Sequence, residues 1–143
     1  MGRRRGGRRK CVFLFNTDVS ATLYLADLRR VAHPLREWVR EQAGRGRCCY
    51  SPVLERELRR MVRRGKIGEE DRVGILRTLG AYGVWRAPAR STTEIKREAR
   101  RLRVVYGLRK GLATDIMFAL HAVELGAYMT TYNVRDYIEI GQG

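Results

Sequence analysis

The sequence predicts an α/β fold, a three-layer α/β/α sandwich with a mostly parallel central sheet. Three observations carry that prediction. Short continuous apolar runs, suited to strands buried on both faces, recur as CVFLF at 11–15, CCY at 48–50, VWRAP at 84–88 and AYMTTY at 127–132. Stretches with helical periodicity separate them, and strands alternating with helices form a parallel sheet covered on both faces. The length, 143 residues, suits one domain with a real core and not two.

Along the chain, residues 1–10, MGRRRGGRRK, read as a flexible basic arm, because glycines interrupt the arginines and nothing apolar can be buried. The domain proper spans 11–143. After the first strand the pattern turns helical from Asp18, with Val19, Leu23, Leu28 and Val31 near one stripe. Pro34 stops or restarts that helix, and Leu35, Trp38 and Val39 continue it. GRGR at 44–47 is a loop before the second strand. Ser51-Pro52 opens a helix to about Arg64, with Leu54, Leu58, Met61 and Val62 facing inward. EEDRVGILRTLGAY forms the next helix, ending near Gly80 or Gly83. Ser91 and Glu94 make a capping box for a helix carrying Ile95, Ala99, Leu102 and Val105. ATDIMFALHAVEL, apolar nearly all round, predicts a buried central helix stopped by Gly126, and NVRDYIEI follows the last strand.

Thirty Lys and Arg against fifteen Asp and Glu give a formal charge of +15. Six of those positive charges lie in residues 1–10, so the body still carries +9. Self-repulsion of that size destabilises a compact domain, and a polyanionic partner relieves it. Nucleic acid is the first candidate, because the chain has no strongly amphipathic basic helix ending in Trp or Phe that would suit an anionic membrane. Neither a membrane span nor a signal peptide is expected, and the reading is of an intracellular, cytoplasmic protein. Sparing use of Asn and Gln with heavy use of charge is compatible with a thermophile.

Cys11, Cys48 and Cys49 include no C-x-x-C pair, and no His stands at finger spacing, so they are expected to be small buried hydrophobes rather than a zinc site or a disulfide framework.

In open α/β sheets, function gathers at the carboxyl ends of the strands. That edge holds Asn16 and Asp18 after the first strand and Asn133 after the last, with Asp136 just beyond. Glu57 and Asp115 fall on apolar helix faces, Asp115 in a row with Leu112, Ala119 and Ala122 and capped by Thr114. A carboxylate on such a row is costly unless it is paired or binds a cation. Two readings stand: ligands for Mg²⁺ or Mn²⁺, which hydrolyse phosphodiesters, or caps and salt-bridge partners among thirty basic residues. Glu55 reads as a surface partner of Arg59.

The order of these features resembles the PIN-domain family, the nuclease fold related to flap endonucleases. The motifs that carry the resemblance are FLFNTDVS, SPVLERELRRM and, most specifically, TDIMFALHAVELGAYMTTYNVRDY. It covers about residues 11–140. The resemblance implies an acidic site at the positions of Asn16, Glu57, Asp115 and Asn133, with Asp18 and Asp136 nearby, and a divalent metal, Mg²⁺ or Mn²⁺, held by Asp18, Glu57, Asp115 and Asp136. The family's first position is usually Asp. Asn16 keeps its shape and one ligand oxygen but loses its charge, which weakens a hard-cation site. Asp18 either takes over as ligand, directly or through water, or is a helix N-cap.

Two functions follow. One is an RNA-binding protein with weakened or lost nuclease activity, held on structured RNA such as ribosomal RNA or the ribosome, where ribosomal proteins would be neighbours. The other is a metal-dependent endoribonuclease of the toxin–antitoxin type, partnered by an antitoxin or a second copy of the chain. The arm resembles ribosomal-protein tails, so Arg3, Arg4, Arg5, Arg8, Arg9 and Lys10 are expected on phosphates, together with Arg60, Arg63, Arg64, Lys66, Arg97, Arg100 and Arg101. Tyr132 and Trp85 are candidates for stacking on bases, Trp85 alternatively for core packing.

Overall fold

The computed structural model describes residues 10–88 and 92–142. The arm over 1–9, with Arg3, Arg4, Arg5, Arg8 and Arg9, and the Ser91 end of the expected capping box lie outside them.

Among the described residues four strands form one all-parallel sheet: β1 (Phe13–Phe15), β2 (Cys48–Tyr50), β3 (Trp85–Arg86) and β4 (Tyr128–Thr130). Their order is β3-β2-β1-β4, so β1 is flanked on both sides, with Phe13 opposite Cys48 in one neighbour and Tyr128 in the other. The chain builds outward from β1 to β3 and then crosses back to place β4 on the free side of β1. That reversal makes the carboxyl ends of β1 and β4 the switch point where open parallel sheets leave a crevice. Alternation along the strands sends successive side chains to different cores. Phe15 and Cys48 join the larger cluster with Leu54, Leu58, Leu79 and Phe118, whereas Leu14 and Cys49 join Cys11, Ala87 and Ala122 in a smaller one.

Seven α-helices are present among the described residues: α1 (Thr17–Arg29), α2 (Pro34–Gly44), α3 (Pro52–Arg63), α4 (Glu69–Tyr82), α5 (Thr92–Val105), α6 (Ala113–Leu125) and α7 (Val134–Gln142). Helix α1 ends before the expected stripe does. Leu28, still within the helix, is exposed because it is out of phase with the buried Val19, Leu23 and Ala26, and Val31, beyond the left-handed Arg30 at φ 51°, is exposed too. Val105, at the last position of α5, is exposed as well. Pro34 restarts the chain as α2, capped by His33. Ser51 caps α3, its Oγ accepting from Val53 N at 3.0 Å. Helices α1 and α4 pack closely because Gly74 leaves room for Tyr24, whose ring would collide with any Cβ there. Helix α6 is not buried all round: Val123 is 79% exposed, while Ile116, Phe118 and His121 turn inward. A 3-10 turn at Lys110–Leu112 leads into α6, whose N-cap is Leu112, so Thr114 is not the cap. The NVRDYIEI segment forms most of α7.

The cysteines depart from expectation. Cys11 and Cys49 form a disulfide with their Cα atoms 5.6 Å apart, because the chain just before β1 lies against β2. A sequence separation of 38 gives no hint of that proximity. Cys48 stays a buried free thiol, as expected, and burial pushes its pKa up to about 12. No helix among the described residues is long and apolar enough to cross a membrane.

Candidate nucleic-acid interface

Two neighbourhoods gather part of the candidate residues: a polar knot at the switch point and a cationic groove between helices.

The knot is built on Asn16, which is 4% exposed and caps α1. Its Oδ1 accepts from Thr17 N, and this backbone donor fixes the amide orientation. The NH₂ therefore points into the crevice, donating to Thr131 Oγ1 at 3.2 Å and to the Tyr137 hydroxyl at 3.0 Å. The Tyr137 hydroxyl, from α7, in turn donates to Asp115 Oδ1 at 3.3 Å. Thr131 donates to Asp18 Oδ2 at 3.0 Å. Asp18 is thus neither the cap nor an open ligand. It lies inside the first turn of α1, not on extended backbone beside Asn16, and both its oxygens are engaged: Oδ1 by Val19 N at 2.7 Å, Oδ2 also by Tyr132 N at 2.9 Å. Asp136 forms an ion pair with Arg109 at 2.7 Å. Asn133 is exposed, and its carbonyl accepts from the first turn of α7.

Asp115 is half-buried in this knot. Burial, then the Asp136 carboxylate beside it, push its pKa up to about 6, although the Tyr137 hydroxyl works the other way. Tyr137 is itself raised, by burial and then by Asp115. With its folded value above the ordinary 3.8, Asp115 holds its proton more tightly in the folded chain. Its stabilising contribution is complete below about pH 4 and is lost as pH rises through about 6. Asp115→Asn should therefore flatten the fall in stability between those limits, read as denaturation midpoints of both proteins across that range.

Glu57 lines a groove that also includes Thr114, the chain neighbour of Asp115. Its charged partner is Arg60 in its own helix, 3.9 Å away. Among the described residues no group of three His, Cys, Asp or Glu side chains is placed to hold a metal ion. Asn16 presents N–H groups to the crevice, both oxygens of Asp18 accept hydrogen bonds, and Asp136 Oδ1 is paired with Arg109.

The groove has a volume of about 490 Å³ and lies between α3, α5 and the start of α6. Arg56, Arg60 and Arg63 line one wall, Lys96, Arg100 and Arg103 the other, and Lys110 the end. Each wall has the spacing i, i+4, i+7, which stacks three side chains on one helix face. Val53, Ala99, Ala113 and Met117 form an aliphatic floor, and Thr114 accepts from Arg60 Nη1 at 3.4 Å. Seven cations face one carboxylate, Glu57. Apart from Arg60, none of the seven pairs with a carboxylate among the described residues.

Three of the expected phosphate-binding residues, Arg60, Arg63 and Arg100, are in the groove, whereas Lys10, Arg64, Lys66, Arg97 and Arg101 are exposed outside it. Arg56, Lys96, Arg103 and Lys110 join them without any such expectation from the sequence. Reading each basic run by helical period instead of as a block separates the groove-facing members from the rest. Glu55, on α3, pairs with Arg86 of β3 at 3.1 Å, not with Arg59. Trp85 packs against the smaller core and donates to the Gly46 carbonyl at 2.9 Å, whereas Tyr132 is 55% exposed. A buried pair also has no signal in the sequence: Ser51 Oγ lies 2.6 Å from His121 Nδ1, joining α3 to α6. Compared with protein-family models, curated proteins and solved structures, the chain matches none.

Proposed function

We propose that this chain is an RNA-binding protein on a PIN-like, three-layer α/β/α scaffold, holding structured RNA, ribosomal RNA being the first candidate, by its phosphates. The observation that carries this reading is the pair of facing basic stripes. Six cations on two helix walls repel one another across a hollow, and a polyanion between them removes that cost. Two separate cores on either side of the sheet support the layered scaffold, and the order of motifs supports the PIN likeness. The inward amide of Asn16, the ion pair on Asp136 and the position of Glu57 favour binding over metal-dependent cleavage.

Measuring affinity for a folded ribosomal RNA fragment against salt tests the proposal. Each neutralised phosphate lowers log K by about 0.7–0.9 per unit of log salt, so several phosphates held by the groove and the arm should give a slope of about −5 or steeper. A slope near zero, or no binding at low salt, would sink it.

A further inference from the structure

Glu57 is out of place in a phosphate-binding groove, and its position suggests a second task. It lies 3.9 Å from Arg60, too far for a hydrogen bond, so its oxygens hold an ion pair without spending their acceptor capacity. Its side chain is 24% exposed and lines the groove. Glu55 and Asp18 differ: Glu55 takes both its oxygens to Arg86, and Asp18 takes both to backbone and Thr131. Arg60 is held between Glu57 and the Thr114 hydroxyl, which keeps a guanidinium and an open carboxylate side by side on α3.

A phosphate cannot use that carboxylate and is repelled by it. A ligand gains from Glu57 only if it carries a hydrogen-bond donor next to its phosphates. The ribose 2′-hydroxyl is such a donor, one on every sugar of an RNA backbone and none on DNA. Among the described residues the groove lining includes no aromatic side chain, and bases stacked on its arginines would present the same faces in RNA and DNA, so stacking does not discriminate between them. We infer that Glu57 is a specificity residue that accepts a hydrogen bond from a 2′-hydroxyl while Arg60 holds the adjacent phosphate, so that the groove selects RNA over DNA. This inference rests on the groove being the RNA site.

The test uses the full chain and two probes, an RNA hairpin and the same hairpin with 2′-fluoro sugars, which keep the RNA-like helix but cannot donate. A hydrogen bond to a charged acceptor should favour the hydroxyl form by about tenfold or more. Glu57→Leu should bring the two affinities together, mainly by tightening the fluoro form, whose phosphates are freed from a repelling charge. Glu57→Gln, which keeps a carbonyl acceptor, should retain part of the preference. Arg100→Glu, measured in parallel, should weaken both probes alike. If Glu57→Leu keeps the wild-type preference while Arg100→Glu weakens binding, the role of Glu57 is wrong and the RNA groove stands. If Arg100→Glu changes neither affinity, the groove is not the RNA site and both conclusions fall.

Discussion

Reversing one cation on each wall, Arg56→Glu with Arg100→Glu, should weaken binding to folded RNA by about a hundredfold or more, at roughly 1.4 kcal/mol for each phosphate that is no longer held. The salt dependence should become shallower by about 1.4–1.8, which is 0.7–0.9 for each of the two phosphates no longer neutralised. Stability should move the other way. The walls repel each other without ligand, so two substitutions that turn like charges into opposite ones should raise the thermal midpoint. This opposition between stability and affinity separates a binding groove from a merely solvated basic surface, where neither quantity would change much. Fluorescence anisotropy with a labelled RNA and a thermal melt of the same preparations provide the two readouts. Unchanged affinity with intact folding would leave the groove without a function.

Asn16→Asp should destabilise the fold by about 3 kcal/mol, because the amide no longer donates its two hydrogen bonds and a buried negative charge is set beside Asp115. The cap itself survives, since Asp accepts from Thr17 N as well as Asn does. The damage is therefore confined to the crevice side. Tyr137 would have to choose between the new carboxylate and Asp115, and Thr131 already gives its proton to Asp18. Mg²⁺ or Mn²⁺ should not restore the lost stability, because Asp18 and Asp136 are engaged and Glu57 stands in the groove. Chemical denaturation with and without each metal reads this directly. Full recovery on adding Mn²⁺ would mean that the carboxylates can gather around a cation, and would favour the endoribonuclease reading.

The parallel α/β organisation is legible in the sequence because it rests on period: CVFLF, CCY and AYMTTY each contain a strand, and the helices between them follow a 3.6-residue pattern. Local chemistry also reads well where a single residue decides it, as with the Ser51 cap, Pro34 and Gly126. What stays hidden depends on residues brought together from a distance. Asn16 reads as a ligand because a sequence shows an amide but not which end of it faces the crevice. That is decided by Thr17 N on one side and by Tyr137, 121 residues away, on the other. Tyr137 itself has no local signature, being one aromatic in a C-terminal helix. The Cys11–Cys49 pairing depends on strand order, and the position of Glu57 on the angle at which α3 and α5 face each other.

The bond between Cys11 and Cys49 also gives the molecule a mechanical anchorage. Lys10 is one residue away, so tension on the basic N-terminal segment arrives first at Cys11. Strand β1 is only three residues long, and a tug from its open end would otherwise peel it from β2 and β4 one hydrogen bond after another. The bridge diverts that load into the middle of β2, so the covalent path bypasses the three residues of β1. Beyond β2 lie Ser51 and the first turn of α3, so the pulled end of the chain is fastened, through one covalent link and a few residues of backbone, to the helix that carries Arg56, Arg60 and Arg63.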